Sequence, residues 1–162
     1  MGKWLYHDVI YWRMTPIQGK PGGARLAKAD FEALAQFRYQ LRRFLRFSEQ
    51  VTQAHGVTPL QYQLLLQIMG FPGRDWATVT ELAERLQSKH HGVVALISRC
   101  ESLGLVRRRA SSSDLRQVEV RLTPSGERCV EALARVHREE LESFQGLLSA
   151  PGPVLGGVRR KA

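Results

Sequence analysis

Two adjacent histidines open a stretch whose side chains suit the edges of stacked base pairs. Ser88, Lys89, His90, His91, Val94, Ala95 and Arg99 fall on one outer side of a helix over this segment. Imidazoles can donate to guanine N7 or O6, and Val94 or Ala95 can meet a thymine methyl group, all displayed in the major groove. Gly92 among them allows close approach to a backbone, at some cost in helix propensity. Arg107, Arg108 and Arg109 follow as a run, suited to phosphate oxygens that position a protein without reading sequence. Strand residues alternate, so one or two of the three face the same way. Beyond them lies Arg116, in a polar loop, suited to a narrow minor groove whose negative potential attracts arginine. Asp114 two residues before it is a turn former. The same histidines would also make an ordinary solvated helix face, and a metal would need ligands that no nearby spacing supplies.

Other chemistries are excluded by what is missing. There is no G-x-S-x-G, no H-E-x-x-H, no phosphate loop and no dinucleotide fingerprint, so no catalysis is expected. Cys100 and Cys129 lack CxxC spacing, which argues against a zinc site and a disulfide framework. Both fall on inward helix positions, where burial makes a thiol inert, so neither a cofactor nor thiol sensing is expected. No run approaches the ~18 apolar residues of a membrane span. The aromatic opening, Trp4 to Trp12, is interrupted by His7 and Asp8 and does not read as a signal peptide. These readings fit a cytoplasmic protein.

The candidate residues need a frame of helices to hold them. Residues 1–29 read as an irregular arm, broken by Pro16, Pro21, Gly22 and Gly23. Asp30 is the expected N-cap of a long first helix, about residues 31–54, with a stripe of Phe31, Leu34, Phe37, Leu41, Phe44, Leu45 and Ser48. Thr58-Pro59-Leu60-Gln61 is a capping box that starts a second helix, about 59–69, expected to bury Leu64, Leu65, Ile68 and Met69. Residues 70–77 read as a turn-rich connector. Thr78 then caps a short helix with Val79, Leu82, Ala83 and Leu86 inward. After a polar break at Gln87-Ser88-Lys89 comes another helix, about 89–102, with Val93, Leu96, Ile97, Cys100 and Leu103 inward and Gly104 as its stop. Two helices joined so tightly form a helix-turn-helix. Strands at 105–109 and 118–122 then make a two-stranded hairpin, a wing. A last helix, about 124–148, carries Cys129, Val130, Leu133, Val136, Leu141, Phe144 and Leu148, and residues 149–162 read as a flexible basic tail. The fold class is mainly α with a winged helix (α+β) and five to six helices. Its two long terminal helices carry more apolar surface than one small domain covers, which points to a dimerisation region.

Charge follows the same division. The formal net charge is +9, with eight basic against five acidic residues in 81–123, but three against five in 124–148. Much of the excess, nine against three, lies in residues 1–46, and Arg38, Arg42, Arg43 and Arg46 make a solvated or partner-pairing face there.

Over residues 30–148 the chain resembles the MarR (multiple-antibiotic-resistance regulator) family. The resemblance is carried by Asp114-Leu115-Arg116 with Leu122-Thr123-Pro124-Ser125-Gly126, similar to the family's wing motif. Thr80-Glu81-Leu82-Ala83-Glu84-Arg85-Leu86 and Glu101-Ser102-Leu103-Gly104-Leu105-Val106 look like its reading head. The resemblance implies a DNA-binding lobe at 57–123 and dimerisation helices at 30–56 and 124–148. It further implies a two-fold dimer acting on duplex DNA as a repressor or activator, often controlled by a small aromatic ligand, with Asp114 helping to hold Arg116. Phe37, Phe44, Phe47, His55, Tyr62 and Met69 are the candidate lining of such an effector pocket, and would serve equally as core. The competing reading is a winged-helix protein-interaction module without specific DNA binding.

Overall fold

Helix ends in this chain are set by local hydrogen bonds that can be followed atom by atom. The computed structural model describes residues 25–110 and 117–148. Residues 34–151 gather into one compact unit; of the other, residues 1–33 and 152–162, only 25–33 are described. The first helix, α1 (Lys28–Ala54), starts two residues before Asp30, so Asp30 is not its N-cap. Instead its carboxylate reaches back from the first turn and accepts from the Ala27 N–H at 2.8 Å. That is the acidic half of a capping box.

Helix α2 (Pro59–Met69) opens with both halves of such a box: Gln61 N–H donates to Thr58 Oγ1 at 3.2 Å, and Thr58 N–H to Gln61 Oε1 at 2.7 Å. Helix α3 (Val79–Arg85) repeats it with Thr78 and Glu81. Helix α4 (His90–Ser102) follows, then strands at 106–110 and 118–122, then α5 (Pro124–Leu148).

Three of these helices end in the same C-terminal hydrogen-bond pattern. At α1 the Val57 N–H donates to Thr52 O and Gly56 N–H to Gln53 O. At α4 the donors are Leu105 and Gly104, onto Cys100 O and Glu101 O. Both use a glycine with positive φ, at +74° and +68°, as this Schellman ending favours. At α3 the pattern recurs, Ser88 to Ala83 O and Gln87 to Glu84 O, but the left-handed residue is Gln87 with φ +49°. Gln87 offsets part of the cost by donating its side-chain amide to Glu84 O at 2.7 Å.

The sheet has three strands, not the two expected. Trp76–Thr78, inside the segment read as a connector, forms β1 and pairs antiparallel with β3 (Val118–Leu122), which also pairs with β2 (Val106–Ala110). Only the pairing with a distant strand makes these three residues a strand, so no local pattern announces it. The register puts Ala77, Val106, Val120 and Leu122 on the core face. Arg107, Arg109, Glu119, Arg121 and Trp76 alternate to the other.

The core gathers Leu64, Leu65, Ile68, Leu82, Val93, Leu96, Ile97, Val120, Val130 and Leu133 from α2 to α5 and the sheet. Met69 and Leu103, expected inside, are exposed. The stripe of α1 is also turned outward: Leu34, Phe37, Leu41 and Leu45 are 44%, 52%, 42% and 53% exposed. The buried side chains of α1 are Gln40 and Thr52, with Phe44, Phe47 and Val51 half-buried beside them. Of the last helix's expected stripe, Val130 and Leu133 are buried, Cys129 and Val136 half-buried and Leu141 exposed.

Candidate nucleic-acid interface

Helix α4 has one face in the core and one face open. Val93, Leu96, Ile97 and Cys100 are buried at i, i+3, i+4 and i+7, fixing the helix's rotation. The opposite side presents His91, Val94, Ala95 and Ser98, flanked by Lys89, His90 and Arg99, all exposed. Lys89 is the N-cap residue and makes no side-chain cap, so the first N–H groups of α4 have no side-chain acceptor there. Ser88 stands apart from the open face: it is half-buried and its hydroxyl donates to Leu86 O at 3.1 Å, within the turn.

The three arginines of β2 separate as strand alternation requires. Arg107 and Arg109 are exposed. Arg108 is half-buried against α4, where it pairs with Glu101 and donates to Ser98 Oγ at 2.8 Å and to Val94 O at 3.1 Å. Its own N–H donates to Glu101 Oε1 at 3.1 Å. Arg108 therefore braces the open helix to the wing. Glu101 and Ser98 were not singled out from sequence, because their roles depend on a strand seven to ten residues away. Asp114 and Arg116 lie outside the described residues.

The Leu-Thr-Pro-Ser-Gly segment ties the returning strand to the end of α4. Thr123 N–H donates to Leu105 O at 3.1 Å, its hydroxyl donates to Gly104 O, and the same oxygen accepts from Gly126 N–H at 3.1 Å. Gly126 is obligatory in this packing: a Cβ there would stand 2.0 Å from Leu105 O. The start of α5 thus sits directly on the stop of α4.

On the outer face of the sheet Arg121 donates to Asp75 Oδ1 at 2.7 Å and pairs with the buried Glu119 at 3.0 Å. Glu81, which caps α3, also pairs with Arg74. Burial alone would raise its carboxyl. The hydrogen bonds from the Thr78 backbone, Arg74 and the Thr78 hydroxyl, with the Arg74 charge, outweigh that and hold it below the ordinary range.

The six candidate effector residues divide. Phe44, Phe47 and Tyr62 converge on His137, which is 5% exposed and was not anticipated. Tyr62 stacks on it with centroids 4.5 Å apart, and Phe44 and Phe47 meet it edge-on at 6.0 and 5.7 Å. Its Nδ1 lies 2.7 Å from Leu133 O and its Nε2 2.9 Å from Ser48 Oγ. Burial raises the Tyr62 phenol. Phe37 and Met69 are exposed, while His55 is exposed with Nδ1 2.8 Å from Val51 O. A groove of about 410 Å³, lined by His55, Arg128, Glu131, Ala132, Arg135 and Val136, shares only His55 with the set.

Known proteins match this arrangement. A model of the MarR family matches residues 55–117. A Thauera aromatica protein, named provisionally as a transcriptional regulatory protein for the hcr operon, is 30% identical over 158 residues, 91% of this chain and 92% of its own. Among solved structures, AbsC, a MarR family transcriptional regulator from Streptomyces coelicolor, aligns with TM-score 0.66 at 24% identity, covering 80% of this chain and 86% of its own. A mutant of Staphylococcus aureus MepR bound to an oligodeoxyribonucleotide aligns with TM-score 0.58 at 24% identity, covering 74% and 84%.

Proposed function

This chain belongs to the MarR family of winged-helix transcription regulators, and from that membership we propose that it is a repressor acting as a homodimer on a pseudo-palindromic duplex operator. The observation that carries the DNA-reading part is the open face of α4. Its Lys89, His90, His91 and Arg99 side chains are exposed and make no ion pair or hydrogen bond among the described residues. In this reading α4 enters the major groove, with His90, His91, Val94 and Ala95 at base edges. Lys89, Arg99, Arg107 and Arg109 meet phosphates, Ser88 adds a backbone contact at the turn, and Arg116 with Asp114 works the minor groove.

The exposed apolar side of α1 supports the homodimer, since a symmetric partner would cover it. A small aromatic effector would act beside Phe44, Phe47 and Tyr62, with Phe37, His55 and Met69 nearer the surface. There it would disturb the contacts that seat α1 and α2 against α5. Such control predicts that an aromatic ligand shifts both melting temperature and operator affinity, and that Tyr62→Ala removes the second response.

Selection from a random duplex library tests the whole reading. Recovered sites should hold two inverted half-sites about one helical turn apart, and binding should weaken steeply with salt. No binding at low salt would falsify the regulator reading and favour a protein-interaction module.

A further inference from the structure

The segment between α2 and β1 carries Gly70, Pro72 and Gly73, yet its side chains are held by a linked set of arginine–aromatic contacts. The Arg74 guanidinium carbon lies 4.3 Å from the Phe71 ring centroid and 3.8 Å from that of Trp76. Arg85 meets Phe71 at 4.3 Å, and Arg121 meets Trp76 at 5.9 Å. All four fall within the range where a cation is attracted to a ring face. Each arginine also has a polar tie: Arg85 to Gln67 at 3.0 Å, Arg74 to Glu81, and Arg121 to Asp75 and Glu119. The set therefore joins the end of α2, both ends of α3, and strands β1 and β3.

Its charges balance. Arg74 and Arg121 face Glu81, Asp75 and Glu119, and Arg74 Nε is buried with no acceptor. Arg74 is thus committed to two rings and one carboxylate and has no free edge for a phosphate.

We propose that Arg74 is a positioning residue for DNA binding: it fixes the wing relative to the reading helices without touching DNA. The inference rests on the DNA-reading assignment above and adds the part that holds the two readers at one angle. Lysine would keep the charge, but a compact ammonium lacks the planar fork that fits two rings and a carboxylate together.

The test is a salt titration of operator binding by the full-length protein and its Arg74→Lys and Arg74→Gln variants, with melting curves alongside. Both should bind about tenfold more weakly, with the log–log salt slope unchanged and folding retained. A lost phosphate contact would instead flatten the slope by about 0.9, and that result overturns the proposal. Wild-type affinity in Arg74→Lys overturns it too, because charge alone would then suffice. Should either Arg74 variant fail to fold, Trp76→Leu leaves the Arg74–Glu81 pair and removes one ring; it should lose part of the affinity at constant slope, and full affinity would overturn the proposal. If the wild type binds no duplex, both this proposal and the regulator reading fall; if only the variants behave as wild type, the regulator reading stands.

Discussion

Cys100 is completely buried on the inward side of α4, and burial pushes its thiol up to about 11, with a small opposing pull from Arg99. Burial also raises Cys129. Thiolates are the reactive form, so a disulfide-type thiol reagent at pH 7.5 should leave both cysteines largely unmodified until denaturant is added. Rapid stoichiometric labelling of the folded protein would contradict that packing. Glu81 moves the opposite way. Its folded carboxyl lies below its unfolded value, so its contribution to stability is present above the ordinary carboxyl range and fades as pH falls through the folded value. Melting curves of wild type and Glu81→Gln should differ at pH 7 and converge toward acid. Gly126→Ala tests the tightest contact: its Cβ would meet Leu105 O at 2.0 Å, so the backbone must shift. Overpacking of this kind costs about 1–3 kcal/mol, and the melting temperature should drop by several degrees. At this scale the sequence was readable where a residue's partner is local. Thr58 with Gln61 and Thr78 with Glu81 are pairs three residues apart, and both form as written. His137, Arg74 and Arg108 were not readable, because what defines each is a partner on another element.

Between elements, the turn from α3 to α4 sets how the reading helix leaves its support. It ends α3 with Gln87 in the left-handed region, where a non-glycine residue costs about 1 kcal/mol. Its compensating side-chain bond to Glu84 O is exposed to solvent, so water replaces much of it when lost. Gln87→Gly should therefore raise the melting temperature slightly, while Gln87→Val should lower it; the reverse order would mean that the amide bond outweighs the backbone. The glycines at 56 and 104 were legible as stops because left-handed endings favour them. Gln87 was legible only as a polar break. Periodicity likewise found the apolar stripe of α1 but could not say what covers it. Spacing defines a face, and burial depends on which surface is opposite.

For the whole molecule, the division of charge and apolar surface makes two linked predictions. Within 81–123, Arg108 and Arg121 are consumed by Glu101, Glu119 and Asp75. Lys89, Arg99, Arg107 and Arg109 remain exposed on the α4 and β2 faces without ion pairs among the described residues. Two copies offer eight such cations, and at about −0.9 per phosphate the salt slope reaches roughly −7 when all engage. That slope requires the dimer, and the dimer requires the outward side of α1. Leu41 and Leu45 are about half exposed in the single chain, so covering each recovers about 1 kcal/mol. Two-fold symmetry counts both residues twice. Replacing them together with glutamate should therefore cost about 4 kcal/mol before any charge is desolvated, roughly a thousandfold in the dimer dissociation constant. The fold of each copy should survive, since both positions already face solvent. Sedimentation should show monomers at concentrations where wild type is dimeric, and the salt slope should fall to about half. A double variant that stays dimeric would place the interface elsewhere. A monomer that kept the full slope would separate phosphate contact from pairing.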